Sequence, residues 1–464
     1  MAKQATDLGK GSVGKLLFQL ALPAIIAQLV NVLYNIVDRI FIGRMPSGEI
    51  AMAGVGVAFP IIMLVSAFSA LVGMGGAPLA AIKMGEKDND GAEKIMTNSF
   101  STLLIISIIL TVSFLIFKED ILWAFGASEQ TIGYANDYIG IYLVGTVFVQ
   151  IGLGLNPFIN TQGFAKTGML TVMIGAVINI VLDPIFIFGL GMGVKGAALA
   201  TITAQFVSAI WVLLFLSGKK SVLKIRKKYL VPSMKVVGPV LLLGISPFIM
   251  QSTESLVIIS MNNNLAKYGG DLAIGAMTIM SSIMQIIILP MTGLTQGAQP
   301  IISFNYGSGN LDRVKKTFKL LIISCITYTT VMWGTVMFFP QVYVSIFNSN
   351  PQLVEITVWS MRIYFAGIFI FGAQIACQQT FLALGQAKIS MILALLRKII
   401  LLIPLIFILP MFFDNKLQGV LTAEPIADIL AALTTIVCFS VFYKKTLSGG
   451  HSGQLNLEMS QTKE

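Results

Sequence analysis

The 40 residues from Leu272 to Leu311 carry no charge at all, twice the ~20 that a helix needs to cross a bilayer. A chain that places such a stretch in lipid can pair its backbone only as helices or as a closed barrel. The uncharged runs here are long and rich in Leu, Ile, Met and Gly, without the ~10-residue alternating segments of a barrel. The composition agrees: 56% of the 464 residues are hydrophobic and 11% charged, against about 25% charged in a soluble domain. The chain therefore reads as an all-α polytopic membrane protein. Its polar start, MAKQATDLGKGSVGK, leads into an apolar stretch too long for a signal peptide and shows no cleavage site.

Twelve spans are expected, near residues 16–43, 51–82, 94–117, 132–158, 167–189, 195–217, 237–262, 272–303, 314–339, 354–381, 388–413 and 419–443. The net charge of +10 could suggest nucleic acid, but its distribution follows the spans. Lys83, Lys87 and Lys94, the run from Lys219 to Lys235, and Arg313, Lys315, Lys316 and Lys319 all fall on one side. The opposite loops hold one or none each. By the positive-inside rule both termini are cytoplasmic and the basicity is topology, so no nucleic-acid partner is expected.

The chain also repeats. A shift of 222 residues places Gly75, Pro78 and Gly85 on Gly297, Pro300 and Gly307, and Gly163, Ala165, Lys166 and Met169 on Gly385, Ala387, Lys388 and Met391. The expected organisation is a six-helix bundle over 1–217, a basic linker over 218–236, a second bundle over 237–446 and a polar tail over 447–464. An even number of spans per half gives a parallel repeat, the build of transporters whose substrate path runs between the halves.

Polar residues inside the spans are concentrated in the first half. Gln28, Asn31, Asn35 and Asp38 are spaced 3, 4 and 3 in the first span, with Tyr34 beside them, one stripe at helical period. Asn179 and Asp183 lie four apart on one face of the fifth span, directly before Pro184, and Thr201 returns on the sixth. Amides in a membrane often do no more than glue helices together. A carboxylate there costs more and marks a functional site by default. Counting ~1.5 Å per residue from the outer helix ends puts Asp38, Asn179, Asp183 and Thr201 at similar depth. Two carboxylates close together in a poorly hydrated site cannot both ionise cheaply, so the pair would accept a proton near neutral pH. With Asn and Thr oxygens nearby it could instead bind Na⁺. Arg39 points about 100° away from Asp38 around the helix. The shift of 222 puts Ser260 and Leu405 where the two acids would recur.

In the second half Glu254 follows Gln251 in the seventh span, a candidate second cation site or contact for a cationic substrate. Arg362, Arg397 and Lys398 read as helix-end or snorkelling residues, and Glu424 and Asp428 as an acid-lined vestibule. The three Cys have no metal or redox spacing, the sole His is His451 in the tail, and no P-loop is present. The glycines Gly73, Gly75 and Gly76 suit close helix packing. The 23 Met and 30 Phe would suit a cavity for flat, apolar, cationic compounds.

The stretch NIVLDPIFIFGLGMGVKGAALAT, the pair GFAKTGM and GQAKISM, Pro23 with Asp38 in the first span, and the 6+6 repeat resemble the multidrug and toxic compound extrusion (MATE) family, and within it the bacterial multidrug-export branch. The resemblance covers the chain to about residue 446. It implies a V-shaped pair of six-helix bundles in a bacterial inner (plasma) membrane, exporting drugs against incoming Na⁺ or H⁺ and needing no other cofactor. Asp38, Asn179, Asp183 and Thr201 match the positions that form the cation site in related members. Asn31, Tyr34 and Asn156 match cavity-lining positions, and Glu254 matches an acid used in the second half of some members. A tenth-span acid has no counterpart in FGAQIACQQTF. The expectation is a monomeric antiporter of small organic cations in contact with membrane lipids, and not an enzyme. The alternatives are a lipid-linked precursor flippase of the same superfold and a non-transporting membrane scaffold.

Overall fold

The computed structural model describes residues 6–347 and 350–448. The tail beyond 448, with His451, lies outside the described residues. Among the described residues ten helices are long and apolar enough to span a membrane, and two bent pairs, each taken as one span, make twelve: α1 (Val13–Gly43), α2 (Gly48–Gly85), α3 (Asn89–Ala124), α4 (Ile132–Val144 with Thr146–Thr161), α5 (Ala165–Gly189), α6 (Val194–Ser217), α7 (Met234–Gly270), α8 (Leu272–Gly307), α9 (Leu311–Phe338), α10 (Pro351–Tyr364 with Ile368–Ala383), α11 (Ala387–Met411) and α12 (Lys416–Leu447). All twelve correspond to the expected apolar runs. Two are bent, α4 by 59° and α10 by 50°. The bends fall at Gly145 and next to Gly367, positions that the 222-residue offset superposes.

The repeat reaches down to single backbone devices. Asp88 accepts the Gly91 N–H at 2.8 Å and caps α3, while Asn310, its counterpart, accepts the Arg313 N–H at 3.3 Å and caps α9. Just before each cap the chain takes a positive φ, +65° at Lys87 and +73° at Gly309. Only one half has the residue that this backbone favours.

The halves meet at the end that carries the linker and part at the other. A buried cluster at the linker end mixes Leu17, Leu20 and Ala21 with Ile301, Ile302 and Leu321. Toward the far end one cluster is drawn from the first half alone, including Ile42, Ile61 and Leu143. Another, including Met280, Phe365 and Leu421, is drawn from the second alone. Glycine makes the close approach possible: a Cβ on Gly75 would meet the backbone of Val240 and Gly244, and one on Gly244 would meet Leu71 O. Gly73 and Gly76 face Gly154 and Phe158 within the first half, so all three glycines of that group serve helix packing.

Each segment leading into a bundle is strapped to the opposite bundle. Ahead of α1, Leu8 O accepts Asn305 Nδ2 at 2.9 Å, and Gly11 O and Lys10 O accept the Arg313 guanidinium at 2.8 and 3.1 Å. Ahead of α7, the linker runs under the first half. Glu93 accepts the Lys224 N–H at 3.0 Å and Arg226 Nε at 2.6 Å. Asn98 accepts the Ser233 N–H at 2.7 Å, and Gln162 Oε1 accepts the N–H groups of Val222 and Leu223 at 2.7 and 2.9 Å.

Candidate functional site

Asn179 and Asp183 are 1% and 0% exposed. Their spacing of four stacks them on one face of α5, where Asn179 Nδ2 donates to Asp183 Oδ1 at 3.2 Å and to Thr201 Oγ1 at 3.4 Å. The Thr201 hydroxyl in turn donates to Ala197 O at 3.0 Å. Pro184 supplies no N–H, and the helix widens into a π-turn over Ile185–Gly189, closed by Leu190 N–H to Ile185 O at 2.8 Å. Thr201 reaches this face because α6 packs tightly on that turn. A Cβ on Gly196 would meet Phe186 C and O at 2.7 and 2.8 Å. From α1, the Asp38 carboxyl comes within side-chain hydrogen-bonding range of Asp183. All four residues read from the sequence as one level are brought together.

Three oxygens in this group are buried and have no donor among the described residues: Asp38 Oδ1, Asp183 Oδ2 and Asn179 Oδ1. Buried polar atoms are nearly always paired. Acceptors that converge in this way, two of them on carboxyl groups, suit a proton or a hard monovalent cation. Among the described residues Arg39 makes no ion pair with them; its guanidinium lies over the Phe59 ring, 5.4 Å from the centroid. Tyrosines close the site. Tyr34 is within electrostatic reach of both acids, and the buried Tyr138, 4% exposed, lies near Thr201.

The group forms one wall of a cavity of about 420 Å³. Asn179 and Thr201 line it, whereas Asp183 and Asp38 stand behind that lining. Asn31, Tyr34, Asn156 and Gln251 line it as well, together with Asn160, Gln205, Ser208 and Met169. At its base Gln28 Nε2 donates to Gln296 Oε1 at 3.3 Å, across the two halves. Sequence reasoning missed Tyr138, Asn160, Gln205 and Ser208. The signal for two of them was present: Thr201, Gln205 and Ser208 are spaced 4 and 3, the rule that exposed the stripe on α1.

The second half departs from expectation. Glu254 does not line the cavity; its carboxylate takes the ammonium of Lys398. Arg397 and Lys398 are not snorkelling, being 8% and 6% exposed. Nor do Glu424 and Asp428 line a vestibule. They are buried, and both hold Arg397, at 3.1 and 2.7 Å. Position along a helix cannot show whether a charge faces lipid or a charge on the next helix.

Known proteins match this chain along nearly its whole length. A family model described as MatE matches residues 23–185 and again residues 246–408. The multidrug export protein MepA of Staphylococcus haemolyticus (strain JCSC1435) is 28% identical over 439 residues, which cover 94% of this chain and 96% of that protein. MepA of Staphylococcus aureus (strain NCTC 8325 / PS 47) is 26% identical over 428 residues, 92% and 94% of the two chains. The structure of the MATE multidrug transporter DinF-BH, solved as a complex, aligns at a TM-score of 0.88 and 35% identity, covering 96% of this chain and 99% of that one. A MATE structure in the bent conformation aligns at 0.89 and 23% identity, over 96% and 100% of the chains. That last likeness is one of fold.

Proposed function

The chain belongs to the MatE family, and from that premise we propose that it exports organic, often cationic drugs in exchange for H⁺ or Na⁺, coupled through Asp38, Asn179, Asp183 and Thr201. One observation carries the reading. Two carboxyl groups, each with a donor-free buried oxygen, stand directly behind the Asn179–Thr201 wall of the cavity. A cation that neutralises the pair removes the repulsion between α1 and α5. Helix α1, which contains Pro23, then bends and the cavity narrows, expelling its contents.

Residues 1–217 and 237–446 would be the bodies that rock, with 218–236 between them and both termini on the cytoplasmic side of a bacterial inner membrane. The transporter would act as a monomer among membrane lipids. Asn31, Tyr34, Asn156 and Gln251 would contact the drug, and Glu254 would act only once it leaves Lys398. A flippase for anionic lipid-linked precursors is disfavoured, because no Lys or Arg lines the cavity among the described residues.

Efflux of a fluorescent cationic dye from vesicles, with Na⁺ and pH gradients imposed separately, tests the reading for wild type and Asp183→Asn. Wild-type efflux should follow one gradient and be lost in the variant. Full gradient-driven efflux in Asp183→Asn would reduce Asp183 to a packing residue.

A further inference from the structure

Outside the cavity, five ionisable side chains are gathered in the second half. Glu254 comes from α7, Arg397 and Lys398 from a π-turn of α11 (Leu396–Leu402), and Glu424 and Asp428 from α12. Except for Glu254, whose side chain is half exposed, each is at most 8% exposed. The other titratable group facing them is Tyr364 of α10. Phe371, also of α10, packs its ring against Arg397, 4.7 Å from centroid to guanidinium carbon.

The charges do not balance. Lys398 is taken by the half-exposed Glu254, so the buried Glu424 and Asp428 share one cation, Arg397, and an uncompensated ion in a low-dielectric interior is strongly disfavoured. Arg397 directs Nε and Nη2 at a single oxygen, Asp428 Oδ1, at 2.8 and 2.7 Å, and reaches Glu424 Oε1 with the same Nη2 at 3.1 Å. Asp428 is 1% exposed, and its Oδ2 has no donor among the described residues. Asp428 thus has one bare oxygen, and Glu424 stands one helical turn away on the same face.

We propose that Glu424 and Asp428 form a proton-binding site in the second half, separate from the Asp38–Asp183 group. The two carboxyl groups share one proton beside Arg397. One proton on this pair leaves a single carboxylate to face Arg397. Its loss leaves a net negative charge between α10, α11 and α12. The site therefore takes up and releases H⁺ without any change at the cavity wall.

Infrared difference spectroscopy of the purified full-length protein in lipid nanodiscs, titrated with pH, reads buried protonated carboxyl groups directly. In the Asp38→Asn/Asp183→Asn double variant one titrating buried-acid band should remain. Adding Glu424→Gln, which mimics the protonated form, should remove it. No such band in the double variant, or a band that survives Glu424→Gln, overturns the proposal. If Glu424→Gln does not fold, Glu424→Asp keeps a carboxyl in a changed setting and should shift the band. An unshifted band overturns the proposal too.

Discussion

Glu93 accepts Arg226 Nε at 2.6 Å and so ties the linker to the underside of the first bundle. The bond matters through what accompanies it, since the same carboxylate also takes the Lys224 N–H at 3.0 Å. Glu93→Ala leaves that N–H without its partner and should cost about 1–3 kcal/mol locally. Tryptic cleavage at Lys224–Lys228 should speed up about tenfold or more, since ~1.4 kcal/mol is a factor of ten in an opening equilibrium. An unchanged cleavage rate would mean that the strap does not depend on this carboxylate.

Gly244 and Gly75 let α2 and α7 approach backbone to backbone. Gly244→Ala would drive a Cβ into Leu71 O, and backbone cannot move aside as a side chain can. The expected cost is about 1–3 kcal/mol, seen as a lower thermal midpoint and a broader size-exclusion profile in detergent. Gly56 is the control, because nothing lies within 4 Å of its Cβ position. Gly56→Ala should be neutral or stabilising by up to about 1 kcal/mol.

Lys87 holds a φ of +65° where the second half has Gly309 at +73°. The left-handed region costs a non-glycine residue roughly 1–2 kcal/mol, partly offset by the unfolded-state freedom that glycine adds. Lys87→Gly should therefore raise stability by about 0.5–1 kcal/mol. Lys87→Val, β-branched, should lower it. Thermal midpoints of the two variants moving in the same direction would rule out backbone strain as the cause.

Thr201 Oγ1 accepts from Asn179 and donates to Ala197 O. In the proposed coupling site Thr201→Val keeps the shape and removes this oxygen. The coupling-ion concentration for half-maximal dye efflux should rise about fivefold to tenfold, the worth of one such bond. Maximal efflux should change little. The ion dependence of initial rates checks this, and an unaltered midpoint would take Thr201 out of the site.

Arg397 balances two buried acids. Arg397→Leu should cost about 3–5 kcal/mol, because it strands a buried carboxylate rather than merely losing an attraction. Folded yield in detergent should fall sharply. Replacing Glu424 and Asp428 at the same time with residues of similar volume and no charge should restore most of it. A single variant as stable as wild type would show that the acids are already neutral.

Much of the molecule could be read one helix at a time. Long apolar runs with few charges marked the spans, because lipid excludes an unpaired backbone and long apolar helices are the local answer. A constant offset revealed the duplication, and spacings of three and four placed Asn179 with Asp183 and lined up Gln28, Asn31, Asn35 and Asp38. Those are properties of a single helix, so no tertiary information was needed. Tertiary structure alone decided which faces meet. Periodicity orders residues around an axis but says nothing of how that axis is rotated against its neighbours. That rotation brings Tyr138 to Thr201, turns Glu254 toward Lys398 and buries Arg397 between Glu424 and Asp428. The cross-strapping of the two lead-in segments is tertiary for the same reason. Arg313 with Leu8, and Asn98 with Ser233, are joined by contacts between bundles, and nothing local in either segment encodes them.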